Sequence, residues 1–164
     1  MKHFFHVHTY RCKHASEELD EEYIKTALSF GAEKITFTDH CPFPENPFGN
    51  RMDMEQLSEY IDSLNHLKEK YQEQIKIEIG LEVEFLPSMI KFYEELKHLN
   101  LNPLIIGQHF YQHPNGSFSF NDEDKSDEFI GCCNAMIEGM KTGLFNTVAH
   151  PDRFFRRCKK WTAE

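Results

Sequence analysis

Five short apolar runs recur along this 164-residue chain, and each carries a histidine or a glutamate at or just past its end. The runs are Lys2 to His8, Ile35 to Thr38, Ile75 to Phe85, Leu104 to Ile106 and Phe145 to His150. The polar residues that close them are His6 and His8, His40, Glu82, His109 and His150, with His14 shortly after the first run. Phe, Ile, Val and Thr dominate the runs, as in strands. The segments between them switch to helical spacing. Ser16 is a candidate N-cap, with acidic residues after it, an apolar stripe of Tyr23, Ala27 and Leu28, and Gly31 as the stop. Asp53 can cap a second helix to about Tyr71, with Leu57, Ile61, Leu64 and Leu67 inward. Pro87 suits the first turn of a third, ending near Leu99. A fourth runs from about Ser126 to Lys141, stopped by Gly143. Cys41 to Arg51 holds three prolines, a glycine and two asparagines and reads as a long ordered loop. A polar loop is expected from His109 through Asp124.

The order is βαβαβαβαβ, which implies an α/β fold with parallel strands and helices outside. Chemistry in such folds collects at the carboxyl ends of the strands, where these histidines lie. The length suits a single domain over residues 1–164. Five strands do not close an ordinary parallel barrel, and the residues after Pro151 read as the start of another unit, so the chain is expected to stop in mid-fold.

Composition narrows the function classes. A net charge of −9 lacks the basic footprint of a nucleic-acid surface, so no nucleic acid is expected. No apolar stretch approaches the ~20 residues of a membrane span. Met1-Lys2-His3-Phe4-Phe5 is not a signal peptide, which makes the cytoplasm the expected location. Five cysteines without CxxC spacing indicate neither a zinc finger nor a disulfide framework. Cys132 and Cys133 read as small hydrophobes; Cys12 and Cys41 lie near candidate ligands.

Alternation on the first strand places Phe4, His6 and His8 on one face, with His6 and His8 about 7 Å apart at Cα, and turns His3 away. His66 and His98 sit on helices and read as surface residues. Gly107 lets the backbone approach closely before His109. Glu82 can bridge two cations, which a neutral imidazole cannot. Glu84 shares its face and can support it, whereas Asp39 points to the other face, as a hydrogen-bonding residue. His113 is open between a solvent-facing loop residue and a substrate role. Imidazoles and a carboxylate gathered at strand ends are the chemistry of a multi-metal hydrolase.

The pieces Phe5-His6-Val7-His8-Thr9, His14, Phe37-Thr38-Asp39-His40, Gly80-Leu81-Glu82-Val83-Glu84, Gly107-Gln108-His109 and Ala149-His150-Pro151-Asp152 together resemble the PHP (polymerase and histidinol phosphatase) superfamily, in particular its histidinol-phosphatase branch. The resemblance implies a distorted (β/α)7 TIM-like barrel with three metal ions, commonly zinc, manganese or iron. By position, His6, His8 and Glu82 would hold one ion, Glu82, His109 and His150 a second, and His14 with His40 a third. The family closes its site with a late Asp-x-His, which this chain lacks. A barrel truncated after about five strands, with two to three divalent ions, is therefore expected. The implied activity is a metal-dependent phosphomonoesterase, hydrolysing histidinol phosphate in histidine biosynthesis through His6, His8, Glu82, His109 and His150. Arg153, Arg156 and Arg51 are candidates to hold the phosphate of a small phosphorylated substrate. The alternatives are another PHP phosphoesterase, small-molecule or nuclease-type, or an inactive metal-binding fragment. Two incomplete barrels could also pair as a homo-oligomer.

Overall fold

The computed structural model describes residues 1–120 and 126–153. The chain divides into two compact units, Met1–Glu82 with Leu101–Pro103, and Val83–Asn100 with the chain from Leu104 on. No helix among the described residues is long and apolar enough to cross a membrane.

The first unit is built on three strands, β1 (His3–Val7), β2 (Lys34–His40) and β3 (Lys76–Val83), paired in parallel in that order. Helix α1 (Asp20–Ser29) joins β1 to β2, and α2 (Gln56–Lys70) joins β2 to β3. Register pairs Thr36 with Glu78, Thr38 with Gly80 and His40 with Glu82. One face of β2 and β3 is therefore a polar row ending in His40 and Glu82. Ile35, Phe37, Ile77, Ile79 and Leu81 alternate with that row and are buried. Helix α2 buries Leu57, Tyr60, Leu64 and Leu67; Tyr60 takes the inward place expected of Ile61, and its hydroxyl donates to the Gly80 carbonyl at 2.8 Å. Ser16 does not cap α1. Its Oγ accepts the Glu18 N–H at 3.3 Å, and the helix starts at Asp20. Gly31 closes it at φ +71°.

Simple alternation fails on β1. From the Phe4–Ile35 pair to the Val7–Phe37 pair, β1 advances three residues while β2 advances two. The extra residue is a bulge, and His6 lies in it at φ +65°. Phe4 and Val7 consequently share the cavity wall of Tyr23, Ala27 and Ile35, against α1. His3 is not turned away from His6. Its Nε2 pairs with Thr36 Oγ1 at 2.8 Å and His6 Nδ1 with Thr38 Oγ1 at 2.8 Å, both on the polar row of β2.

In the second unit Val83, the last residue of β3, accepts the Gly107 N–H at 3.0 Å. Strand β4 (Leu104–Ile106) has β7 (Thr147–Val148) parallel beside it. Helix α3 (Ile90–His98), entered through a 3₁₀ turn at Pro87–Met89, precedes β4 in the chain, and helix α4 (Ser126–Lys141) lies between β4 and β7. The last strand is thus shorter than the Phe145 to His150 expected for it. Gly143, at φ +70°, ends α4 as expected. The polar loop expected after His109 contains a hairpin instead. Phe110–Gln112 (β5) and Phe118–Phe120 (β6) pair antiparallel, and Phe110 meets Phe120 with ring centroids 5.3 Å apart. The turn Pro114-Asn115-Gly116, with Gly116 at φ +86°, supplies the reversal.

Glycine is required at Gly80. A Cβ there would stand 2.0 Å from the Pro103 carbonyl oxygen, which accepts the Leu81 N–H at 3.1 Å. One step earlier on the polar row, burial pushes the Glu78 carboxyl up, but hydrogen bonds from Lys34, Lys76 and Thr36 outweigh it. The group is lowered from its ordinary 4.5 to about 2. A depressed carboxyl contributes stability above its unfolded pKa and loses it as pH falls toward the folded one. The thermal stability of Glu78→Gln should therefore lie below wild type at neutral pH, by about 1 kcal/mol or less per lost pair. That gap should narrow below about pH 4.5 and close near pH 2, as followed by thermal unfolding across a pH series. A gap constant through this window would contradict the assignment.

Candidate metal centre

The register that sets His40 opposite Glu82 places both at the ends of their strands. Glu82 is 1 % exposed, and its Oε2 faces three ring nitrogens: His40 Nδ1 at 3.1 Å, His8 Nε2 at 3.3 Å and His6 Nε2 at 3.7 Å. The His6 and His8 Nε2 atoms are 3.5 Å apart. The exposed His14 ring closes the group, 5.2 Å from His8 and 5.0 Å from His40. Donor atoms of His8, His40 and Glu82 lie within 4.8 Å of one another, and so do those of His8, Cys12 and His14. The first unit thus gathers five of the seven expected ligands. A buried carboxylate ringed by imidazole nitrogens is a donor set that a divalent cation would complete. Nitrogen and oxygen donors of this kind suit zinc, iron or manganese, so the residues fit the ions that the sequence implies.

Several of the rings have one nitrogen held by a neighbour. His6 Nδ1 is engaged by Thr38 and His8 Nδ1 by Cys12 Sγ at 3.3 Å, which leaves each Nε2 toward Glu82. Such partners fix the tautomer and the ring plane of a ligand.

The turn that carries His8, Cys12 and His14 is fastened from below. Asp39, fully buried on the opposite face of β2 from His40, accepts the backbone N–H and the hydroxyl of Thr9. Burial pushes its carboxyl up, and the Thr9 bonds act against that. Arg11, 1 % exposed, forks onto Asp20 at 2.8 and 2.9 Å and onto Glu59 at 2.7 Å through both Nε and Nη2. Its guanidinium also reaches Thr9 Oγ1 at 3.0 Å and lies 4.4 Å from the Tyr10 ring. Ser63 donates to Asp20 at 2.6 Å. One cation thereby ties the turn to α1 and α2. Sequence reading missed Arg11, because an arginine two residues past a strand looks like any surface cation.

The second unit holds His109, His150 and Glu84. Glu84 accepts from His109 Nδ1 at 2.6 Å and from the His109 backbone N–H at 2.7 Å, so it orients that ring. The His109 and His150 rings are 5.0 Å apart. Gln108 fixes the approach by accepting the Phe85 N–H at 2.9 Å. His113 lies on the hairpin, 3.1 Å from Ser119 Oγ and 3.6 Å from Glu128. Arg153 is half-buried with its guanidinium 5.1 Å from the Phe120 ring. Arg51 does not stand open to a substrate. It is 2 % exposed, donates to the Cys41 carbonyl at 3.0 Å and stacks against Phe48 and Phe43, pinning the 41–51 loop. Cys41 turns its thiol to the Pro42 carbonyl of the same loop. Arg156 lies outside the described residues.

Comparison with known proteins follows this pattern: the PHP domain family matches residues 5–161. The chain belongs to the PHP domain family. Within it the similarity is to histidinol phosphatases. A Deinococcus radiodurans relative named "probable histidinol-phosphatase" is 31 % identical over 90 % of this chain and 59 % of its own. The Bacillus subtilis histidinol-phosphatase is 30 % identical over 80 % of this chain and 53 % of its own. A crystal structure of histidinol phosphate phosphatase from Lactococcus lactis, complexed with zinc, L-histidinol and phosphate, aligns with a TM-score of 0.66 at 23 % identity, over 94 % of this chain and 59 % of that one. The PHP chain described here thus spans between half and three fifths of the length of these relatives. Its parallel strands and connecting helices have the fold of that crystal structure.

Removing one partner of a buried ion pair leaves the other uncompensated. Arg11→Ala should therefore destabilise the PHP chain by about 3 kcal/mol in urea unfolding. Glu59→Gln should cost below about 1 kcal/mol, since the Glu59 side chain is 55 % exposed. Equal effects of the two would deny Arg11 its central place.

Proposed function

We propose that the PHP chain is a metal-dependent phosphomonoesterase acting on histidinol phosphate, releasing histidinol and phosphate, as a step of histidine biosynthesis. The observation that carries this reading is the buried Glu82 carboxylate with three imidazole nitrogens 3.1 to 3.7 Å from its Oε2. The names of its relatives supply the substrate.

His6, His8, His14, His40 and Glu82 of the first unit, and His109 and His150 of the second, serve in this reading as ligands for two to three divalent cations of the zinc, manganese or iron type. Bound cations supply positive charge to the phosphoryl oxygens and lower the pKa of water. The chain's own residues do the positioning. Thr38 and Glu84 hold their imidazoles by one nitrogen so that the other meets a ligand without reorganisation. Glu82 brings one negative charge into a cluster of otherwise neutral donors, which favours a dication over a monovalent ion. Arg153 would supply a planar fork for a phosphate oxygen.

The test is phosphate release from histidinol phosphate and from a generic aryl phosphate, after chelation and then with zinc or manganese restored. Activity should vanish on chelation, return with metal and favour histidinol phosphate. Glu82→Gln should lower metal content and reduce kcat/KM by roughly a hundredfold or more. Metal binding without phosphoester hydrolysis would leave a metal-binding module in place of an enzyme. Preference for the generic ester would replace histidinol phosphate with another substrate.

A further inference from the structure

Cys12 is buried; its sulfur lies within 4.8 Å of donor atoms of His8 and His14, and it stands at the crossing of two hydrogen-bonding contacts. Sγ accepts the backbone N–H of His40 at 3.0 Å and stands 3.3 Å from His8 Nδ1. The sulfur lone pairs can receive both the His40 N–H and the His8 Nδ1–H. A neutral imidazole carries one proton. With that proton on Nδ1, His8 Nε2 is a bare donor, 3.3 Å from Glu82 Oε2 and 3.5 Å from His6 Nε2.

We propose that Cys12 is a positioning residue that commits His8 to the Nδ1–H tautomer and so presents its Nε2 to a cation. The Glu84 carboxylate, which can only accept, plays this part for His109. The thiol does it with a weak, neutral acceptor in place of a carboxylate. A sulfur acceptor adds no negative charge, so the cluster keeps Glu82 as its nearby carboxylate on this side. The same sulfur receives an N–H from the ligand strand β2, so the His8 ring and the His40 backbone are located by one atom.

This inference rests on the reading of His8 as a metal ligand, and the test separates the two. Zinc affinity is measured by chelator competition on wild type, Cys12→Ala and Cys12→Ser, and histidine ¹H–¹⁵N spectra are recorded on the zinc-loaded wild type. Cys12→Ala should loosen zinc by roughly tenfold. Cys12→Ser, which keeps an acceptor, should recover most of that loss. The His8 proton should appear on Nδ1, and the spectrum decides the matter should Cys12→Ala fail to fold. A wild type that binds no zinc removes the metal reading and the role of Cys12 with it. Zinc binding with unchanged variants, an equal loss in both, or a proton on Nε2 overturns the Cys12 role alone. Cobalt loading supplies the last check: an intense sulfur-to-cobalt charge-transfer band would make Cys12 a ligand and end its role as a positioning residue.

Discussion

The buried Arg11 guanidinium is the interaction on which the histidine-bearing turn of the first unit depends. A turn of seven residues, Val7 to Lys13, has to leave a strand, present His8 and go on to His14. Nothing in its own backbone hydrogen bonding dictates that path beyond one 3₁₀ turn at Tyr10–Cys12. Arg11 supplies the missing constraint by satisfying five donor positions at once on Thr9, Asp20 and Glu59. Its desolvation is compensated by two carboxylates in fork geometry, which is the condition under which a buried cation is tolerated. Lysine, a point charge with three donors, could not make the same set.

What was legible in the sequence follows from which signals are periodic. The strands β1 to β4 and all four helices stand where apolar spacing put them, because burial of one face is the strongest local constraint on a chain. Glu82 and the histidines are at strand ends, as their positions after apolar runs indicated. The misses have separate physical causes. The bulge at His6 is a backbone choice that leaves no mark on an alternating pattern, so Phe4 was placed with the histidines and His3 apart from them. The β5–β6 hairpin has strands of three residues, too short for a period-2 signal, although Asn115-Gly116 between aromatic triplets was the available cue. Arg51 and Arg11 are buried arginines, and average exposure argues for the opposite of what they do.

Thr38, Cys12 and Glu84 each engage one ring nitrogen of an imidazole in the proposed metal centre. A ring that is free to flip offers either nitrogen and loses affinity to its own disorder. One held nitrogen removes that freedom before a ligand arrives. Three chemically different side chains do the holding, and each lies where a strand or turn already had to pass: Thr38 on β2, Cys12 in the Arg11 turn, Glu84 just beyond β3. The strands therefore set distances and the side chains hold the rings.

The extra residue in β1 also sets a phase. Upstream of it the strand counts inward and outward positions one way, and downstream the other way, so the amino-terminal segment and the His6–His8 pair are offset like two gears with one tooth between them. A single deletion there would turn His8 to the other face of the sheet while leaving composition and hydropathy almost untouched. Length, more than residue type, is what this short segment has to preserve.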